Sequence, residues 1–83
     1  MYKILIVEDD ETIAGGLKNH LEKWNYQAEC MTDFKDVMGK FVDFEPQLVL
    51  LDIVLPFFNG FHWCQEIRKI SKVPIIFLSS ANE

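Results

Sequence analysis

The residues with the clearest chemical potential in this chain are carboxylates placed directly after apolar runs. Asp52 ends the run LVLLD, and Glu8 and Asp9 follow the run KILIV. An ionised carboxylate is costly to bury alone, and several carboxylates held close together repel one another. A hard divalent cation, Mg²⁺ or Mn²⁺, relieves that repulsion because it prefers oxygen ligands. If the fold brings these side chains together, the residue types predict a metal site.

The spacing of apolar residues indicates the elements that must position these carboxylates. We expect buried or edge strands over Lys3–Val7, Tyr26–Cys30, Leu48–Leu51 and Val73–Leu78. We expect helices from Thr12 to about Trp24, from a cap at Thr32 or Asp33 to just before Pro46, and over Phe61–Ile70. Each helix is expected to have one apolar face. These faces are Ile13, Leu17, Leu21 and Trp24 in the first helix; Val37, Met38, Phe41 and Val42 in the second; and Trp63, Ile67 and Ile70 in the third.

Strands that alternate with helices predict an α/β fold with right-handed crossovers and a parallel sheet. In the flavodoxin-like strand order 2-1-3-4, the first, third and fourth strands are neighbours, and ligands bind beyond their carboxyl ends. Glu8 and Asp9, Asp52 and Ser79 would then share one pocket. Two simpler interpretations stay open: the acidic stretch is a solvated loop whose Asp10 caps the first helix, and Ser79 is an ordinary turn residue.

The length and composition of the chain limit its possible domain number, binding partners and location. The 83 residues suffice for one small domain, and the net charge of −5 argues against binding of DNA or RNA by this segment. Cys30 and Cys64 are 34 positions apart without a CxxC spacing, which favours reduced, packed thiols. No apolar run reaches the roughly 20 residues of a membrane span, and the N-terminus lacks a signal-peptide pattern. We therefore expect a cytosolic protein that does not contact the membrane.

The segments ILIVEDD, LVLLDIVLPFFNG and PIIFLSS resemble the receiver domain of bacterial two-component response regulators, in the winged-helix transcription-factor branch. The resemblance implies that Asp52 accepts a phosphoryl group from a sensor histidine kinase in a Mg²⁺-dependent reaction. It further implies that Asp9 binds the metal directly, Glu8 through water, and Val54 through its backbone carbonyl. Ser79 matches the switch hydroxyl that approaches the phosphoryl group. The domain would act as a signalling switch rather than as a turnover enzyme.

The chain departs from this family's pattern mainly at its end. It stops at Glu83, whereas receivers continue through a fourth helix, a fifth strand with a lysine after it, and a fifth helix. We therefore expect residues 1–83 to form an incomplete, C-terminally truncated receiver domain that takes up phosphate from acetyl phosphate poorly. With the fourth strand as an apolar edge and one sheet face uncovered, self-association is expected.

Three other functions fit the sequence less well than a receiver does. Aspartyl-phosphate hydrolases place a second carboxylate two residues after the nucleophile, and Val54 stands there instead. A nucleotide-binding flavodoxin-like module would need a phosphate-binding loop, and neither GxGxxG nor GxxxxGK[ST] occurs in the sequence. A degenerate receiver that acts only as an interaction module is disfavoured by the intact Glu8, Asp9 and Asp52.

Overall fold

The computed structural model describes residues 1–78, and its elements alternate regularly between strand and helix. They are β1 (Lys3–Val7), α1 (Glu11–Lys23), β2 (Gln27–Cys30), α2 (Val37–Phe44), β3 (Leu48–Asp52), α3 (Gly60–Arg68) and β4 (Ile75–Leu78). All strand pairs are parallel, and the order across the sheet is β2-β1-β3-β4. The predicted α/β fold and the predicted strand order are both confirmed.

The two central strands are buried because both of their faces are covered. On one face, Leu5 and Val7 of β1 pack with apolar side chains of α2 and α3. On the other face, Ile4 and Ile6 pack with Ala14 of α1. Successive side chains of a strand point to opposite faces of a sheet, so a strand covered on both sides is apolar without alternation.

Helix α1 begins at an aspartate cap. The side chain of Asp10 accepts hydrogen bonds from the backbone N–H groups of Thr12 and Ile13, at 3.0 and 3.1 Å. This satisfies donors that have no partner within the helix, and it confirms that Asp10 is a capping residue. The expectation that Ile13 and Trp24 belong to the apolar face is wrong, because Ile13 is 49% exposed and Trp24, at the end of the helix, is 69% exposed.

Helix α2 begins later than the sequence suggested. Its cap is Asp36, which accepts a hydrogen bond from the backbone N–H of Gly39 at 2.9 Å, and not Thr32 or Asp33. The buried face is Val37, Phe41 and Phe44, spaced 4 and 3 residues apart. Val42 was expected on this face but is 60% exposed, since it lies about 100° around the helix from Phe41.

The last two elements are shorter than expected. Helix α3 ends at Arg68, so Ile70 falls outside it and is 60% exposed rather than on the apolar face. Strand β4 begins at Ile75 rather than Val73, after Pro74, which has no N–H to contribute to a sheet. Among residues 1–78, no helix is both long and apolar enough to span a bilayer.

The two cysteines are free and half-buried, as the sequence predicted for packed thiols. The Sγ atom of Cys30 lies 3.6 Å from the carbonyl oxygen of Ala14 in α1. Burial raises the pKa of the Cys30 thiol, which keeps it protonated and poorly reactive at neutral pH.

Candidate metal centre

The parallel register of the sheet brings the predicted carboxylates together. Val7, the last residue of β1, is paired with Leu51 of β3. Glu8 and Asp52 directly follow these two residues, so they occupy equivalent positions at the ends of neighbouring strands. One carboxylate oxygen from each of Glu8, Asp9 and Asp52 can be chosen so that all three lie within 4.8 Å of one another. The sequence-based expectation that these side chains converge agrees with this geometry.

Two of the three carboxylates are buried. Glu8 is 8% exposed and Asp52 is 9% exposed, whereas Asp9 is exposed at the mouth of the site. Burial is the main cause that raises the pKa of Glu8, and the nearby charges of Asp52 and Asp9 raise it further. The backbone N–H of Asp10 donates a hydrogen bond to Oε2 of Glu8 at 3.0 Å and lowers the pKa in part. The cluster therefore holds negative charge at an energetic cost that a bound cation would remove.

The donor atoms suit a hard divalent cation. All three are carboxylate oxygens, and within residues 1–78 this is the one group of three or more metal-ligating side chains at such short spacing. Oxygen-only sites select Mg²⁺, Mn²⁺ or Ca²⁺ over metals that prefer thiolate or imidazole. Glu8, Asp9 and Asp52 could therefore hold a metal ion of this class.

The structure describes one of the two other predicted site residues. Val54 lies in the bend that leaves β3, two residues beyond Asp52, and its side chain is 60% exposed. Binding of a metal by the backbone carbonyl of Val54 stays a prediction. Ser79, the predicted switch residue, lies outside the described residues.

Gly60 contributes to the site through its lack of a side chain. Its backbone N–H donates to the carbonyl oxygen of Ile53 at 2.8 Å, which joins the start of α3 to the end of β3. A Cβ atom added to Gly60 would lie 2.2 Å from the carbonyl oxygen of Asp52 and 3.0 Å from Cα of Ile53. Asn59 caps the helix that Gly60 begins, and the close approach of Gly60 to Asp52 is not visible in the sequence.

Comparison with known proteins identifies the family. The model of the response regulator receiver domain matches residues 4–83. This covers nearly the whole chain, and the strand order and the acidic cluster agree with it. The chain belongs to the response regulator receiver domain family.

Curated relatives include regulatory proteins of Bacillus subtilis and Halalkalibacterium halodurans. The chain is 51% identical over 83 residues to an uncharacterized transcriptional regulatory protein, YvcP, of Bacillus subtilis, covering 100% of this chain and 35% of YvcP. It is 48% identical over 80 residues to the sensory transduction protein BceR of Halalkalibacterium halodurans, covering 96% of this chain and 35% of BceR. The chain thus spans about a third of the length of these relatives.

Solved structures show the same fold. The N-terminal domain of the nisin resistance regulator NsrR matches with a TM-score of 0.89 and 49% identity, over 98% of this chain and 68% of that one. The response regulator TrrA of Thermotoga maritima, in complex with Mg²⁺ and a beryllium fluoride, matches with a TM-score of 0.87 and 32% identity, over 99% and 73% of the two chains. TrrA in complex with the histidine kinase ThkA matches with a TM-score of 0.85 and 33% identity, over 96% and 70%.

The buried charge of Glu8 leads to a prediction about stability. Glu8→Gln should raise the melting temperature of the metal-free protein, because glutamine keeps the acceptor for the Asp10 N–H without a buried charge. The folded-state pKa of Glu8 is raised, so the destabilisation caused by its ionisation is absent below the ordinary value of 4.5 and grows as the pH rises above it. Thermal melts of both proteins between pH 4 and pH 8 should therefore diverge as pH increases. A variant that is less stable than its parent at pH 8 would contradict the electrostatic description of the cluster.

Proposed function

We propose that this chain is a phosphorylation-dependent receiver in which Asp52 accepts a phosphoryl group from a sensor histidine kinase with the help of Mg²⁺. The observation that carries the proposal is the convergence of Glu8, Asp9 and Asp52 within 4.8 Å at the carboxyl edge of the sheet. Family membership supports it, as do the Mg²⁺ and kinase complexes of TrrA. Mn²⁺ would serve the same donor set.

The proposed reaction is an in-line phosphoryl transfer to a carboxylate. An Oδ atom of Asp52 forms the new P–O bond while the P–N bond of the kinase phosphohistidine breaks. The imidazole nitrogen keeps the bonding electron pair and takes up a proton. The protein's part is chiefly positional: β3 and the β3–α3 junction at Gly60 fix the backbone of Asp52 at the sheet edge.

Each remaining site residue has a proposed role around Asp52. Asp9 would bind the metal directly, Glu8 through a water molecule, and Val54 through its carbonyl oxygen. When bound, Mg²⁺ neutralises charge that develops on the phosphoryl oxygens. Ser79 would donate its hydroxyl to the phosphoryl group after transfer and so start the conformational switch.

We propose a long-lived phosphorylated state rather than enzymatic turnover. A hydrolase of this type carries a second carboxylate two residues after the nucleophile as general acid, and here Val54 offers an exposed apolar side chain at that position. In the whole protein the modified receiver would control a DNA-binding effector of the winged-helix type in the cytosol, because YvcP is a transcriptional regulatory protein. The segment itself, with its net charge of −5, would not bind DNA.

Metal binding tests the proposal on the 83-residue chain itself. Calorimetric titration with Mg²⁺ should give one site, and Asp9→Asn should weaken it by more than about tenfold, since the loss of even an indirect partner costs about 10–100-fold. Asp43→Asn is the matched control, because Asp43 is an exposed aspartate of α2 outside the cluster. Equal affinity in Asp9→Asn and the parent would overturn the assignment of the metal ligands.

We also propose that the 83-residue chain self-associates through β4 and the neighbouring sheet face. Among residues 1–78, β4 pairs only with β3, and Ile76 and Phe77 are 52% and 37% exposed. An apolar edge strand presents unpaired backbone groups to a second copy. A charge placed on such a strand should oppose that pairing.

Light scattering at micromolar concentration tests this association. The parent chain should exceed the monomer mass, and Ile76→Lys should shift it toward monomer. Val42→Lys is the control, because Val42 is 60% exposed, against 52% for Ile76, but lies on α2, away from the strand edge. A clean monomer mass for the parent would contradict the proposal.

A further inference from the structure

We propose that Asp10 is a positioning residue for the metal site: its cap of α1 fixes its own backbone N–H, and that N–H holds the carboxylate of Glu8 beside Asp52. This inference rests on the proposed function. Asp10 caps α1, as predicted, and its side chain does not itself belong to the cluster of three carboxylates.

Hydrogen bonds fix both the side chain and the backbone of Asp10. Its Oδ1 atom accepts hydrogen bonds from the backbone N–H groups of Thr12 and Ile13, at 3.0 and 3.1 Å. Its carbonyl oxygen accepts the first hydrogen bond of the helix, from the N–H of Ala14 at 2.9 Å. Its own N–H donates to Oε2 of Glu8 at 3.0 Å. Residue 10 is therefore bonded to α1 on one side and to the metal site on the other.

Glu8 needs this hydrogen bond because the neighbouring carboxylates repel it. Its side chain is 8% exposed, and its carboxylate lies near those of Asp9 and Asp52. Repulsion between like charges and the rotamer entropy of a glutamate both favour a conformation in which the carboxylate turns away from the cluster. Among residues 1–78, no ion pair includes a cluster carboxylate, and the N–H of Asp10 is the one N–H group that donates to them. That N–H therefore opposes the repulsion.

Asp36, the aspartate that caps α2, makes the same kind of cap without this link to the site. Its side chain accepts a hydrogen bond from the N–H of Gly39 at 2.9 Å. Its own N–H donates to the carbonyl oxygen of Asp33 at 3.2 Å rather than to a carboxylate. Removal of either cap releases a helix end, but only removal of the Asp10 cap also releases a donor to Glu8. Asp36 is therefore the matched control for Asp10.

Loss of the cap at position 10 should weaken the metal site through Glu8. Without a side-chain acceptor, the backbone of residue 10 can rotate, and its N–H no longer points at Oε2 of Glu8. Residues that orient metal ligands without contacting the metal typically contribute about 10-fold to 100-fold to metal affinity. Because Glu8 is proposed to bind the metal through a water molecule, we expect a change near the lower end of that range.

Calorimetric titration of the full-length protein with Mg²⁺ tests the role of Asp10. Asp10→Gly should weaken Mg²⁺ binding about tenfold, although glycine is well tolerated as a helix cap and should leave the melting temperature nearly unchanged. Asp10→Asn should bind Mg²⁺ within about twofold of the parent, because asparagine keeps the cap and removes only the charge. Asp36→Ala should lower the melting temperature and leave the Mg²⁺ affinity unchanged.

Amide hydrogen exchange at residue 10 supplies a readout that helix stability alone would not change. Relative to the intrinsic rate for each sequence, exchange should be slower in the parent and in Asp10→Asn than in Asp10→Gly, because only the first two hold the N–H against Glu8. Parent-like Mg²⁺ affinity in Asp10→Gly, or equal weakening in Asp10→Asn or Asp36→Ala, would overturn the positioning role and leave the proposed function standing. If the parent itself binds no Mg²⁺, the proposed function fails, and this inference fails with it.

Discussion

Asp52→Asn is expected to reduce phosphoryl uptake from stoichiometric to undetectable. The asparagine amide has nearly the same shape but lacks the anionic oxygen that forms the P–O bond. It also removes one negative charge from the three-carboxylate cluster, so metal binding should be weakened as well. The full-length protein is incubated with its kinase, ATP and Mg²⁺, and mass spectrometry then measures whether its mass has increased by one phosphoryl group.

The controls separate loss of the nucleophile from loss of the fold. Asp52→Asn removes charge from a buried acidic cluster, so the variant should melt no lower than the parent. Asp43→Asn changes an exposed aspartate of α2 and should be labelled normally. Labelling of Asp52→Asn at the rate of the parent would mean that another residue receives the phosphoryl group.

Gly60→Ala is expected to damage both stability and phosphoryl uptake. The added Cβ would lie 2.2 Å from the carbonyl oxygen of Asp52, which is backbone and cannot rotate away. Overpacking of this kind typically costs about 1–3 kcal/mol. Any relief requires a shift of the Asp52 backbone, and a displacement of about 1 Å at a reacting group can slow a reaction about 100-fold.

Urea denaturation and the initial rate of labelling together test the role of Gly60. The matched control is Gly16→Ala in α1, where an added Cβ meets nothing within 4 Å. That control should be about 0.5–1 kcal/mol more stable, because alanine favours the helix, and should be labelled normally. If Gly60→Ala keeps both the stability and the labelling rate of the parent, the close approach of residue 60 to Asp52 does not matter for stability or phosphoryl uptake.

The parts of the fold that the sequence predicted well are those set by burial. The runs KILIV and LVLLD are apolar without alternation because helices cover both sides of β1 and β3. Once these strands are parallel neighbours, the side chains that follow them must meet, so the cluster of Glu8, Asp9 and Asp52 could be predicted. The principle that connects sequence and site here is strand order, not any property of a single carboxylate.

The parts that the sequence did not predict depend on contacts between distant residues. Thr32, Asp33 and Asp36 all have side chains suited to a helix cap, and only the packing of Val37 into the core selects Asp36. The contact of Lys35 with Phe57 joins residues 22 positions apart, and no local pattern signals it.

At Gly60 too, the sequence motif does not reveal why the residue must be glycine. An Asn-Gly pair is typical of a turn, but here Asn59 caps α3 and Gly60 is the first residue of that helix. The reason that no side chain fits at this position is the backbone of Asp52, eight residues earlier. The requirement for glycine is thus a property of the packed site rather than of a local turn.

Chemical mapping of the phosphorylated residue tests the central claim most directly. An acyl phosphate on aspartate is reduced by borohydride to homoserine, which mass spectrometry locates in a peptide digest. After incubation of the protein as its gene encodes it with kinase and ATP, we predict homoserine at position 52, with Mg²⁺ present and not with EDTA. Homoserine at another position, or modification of Asp52 that is equal in EDTA, would contradict the account.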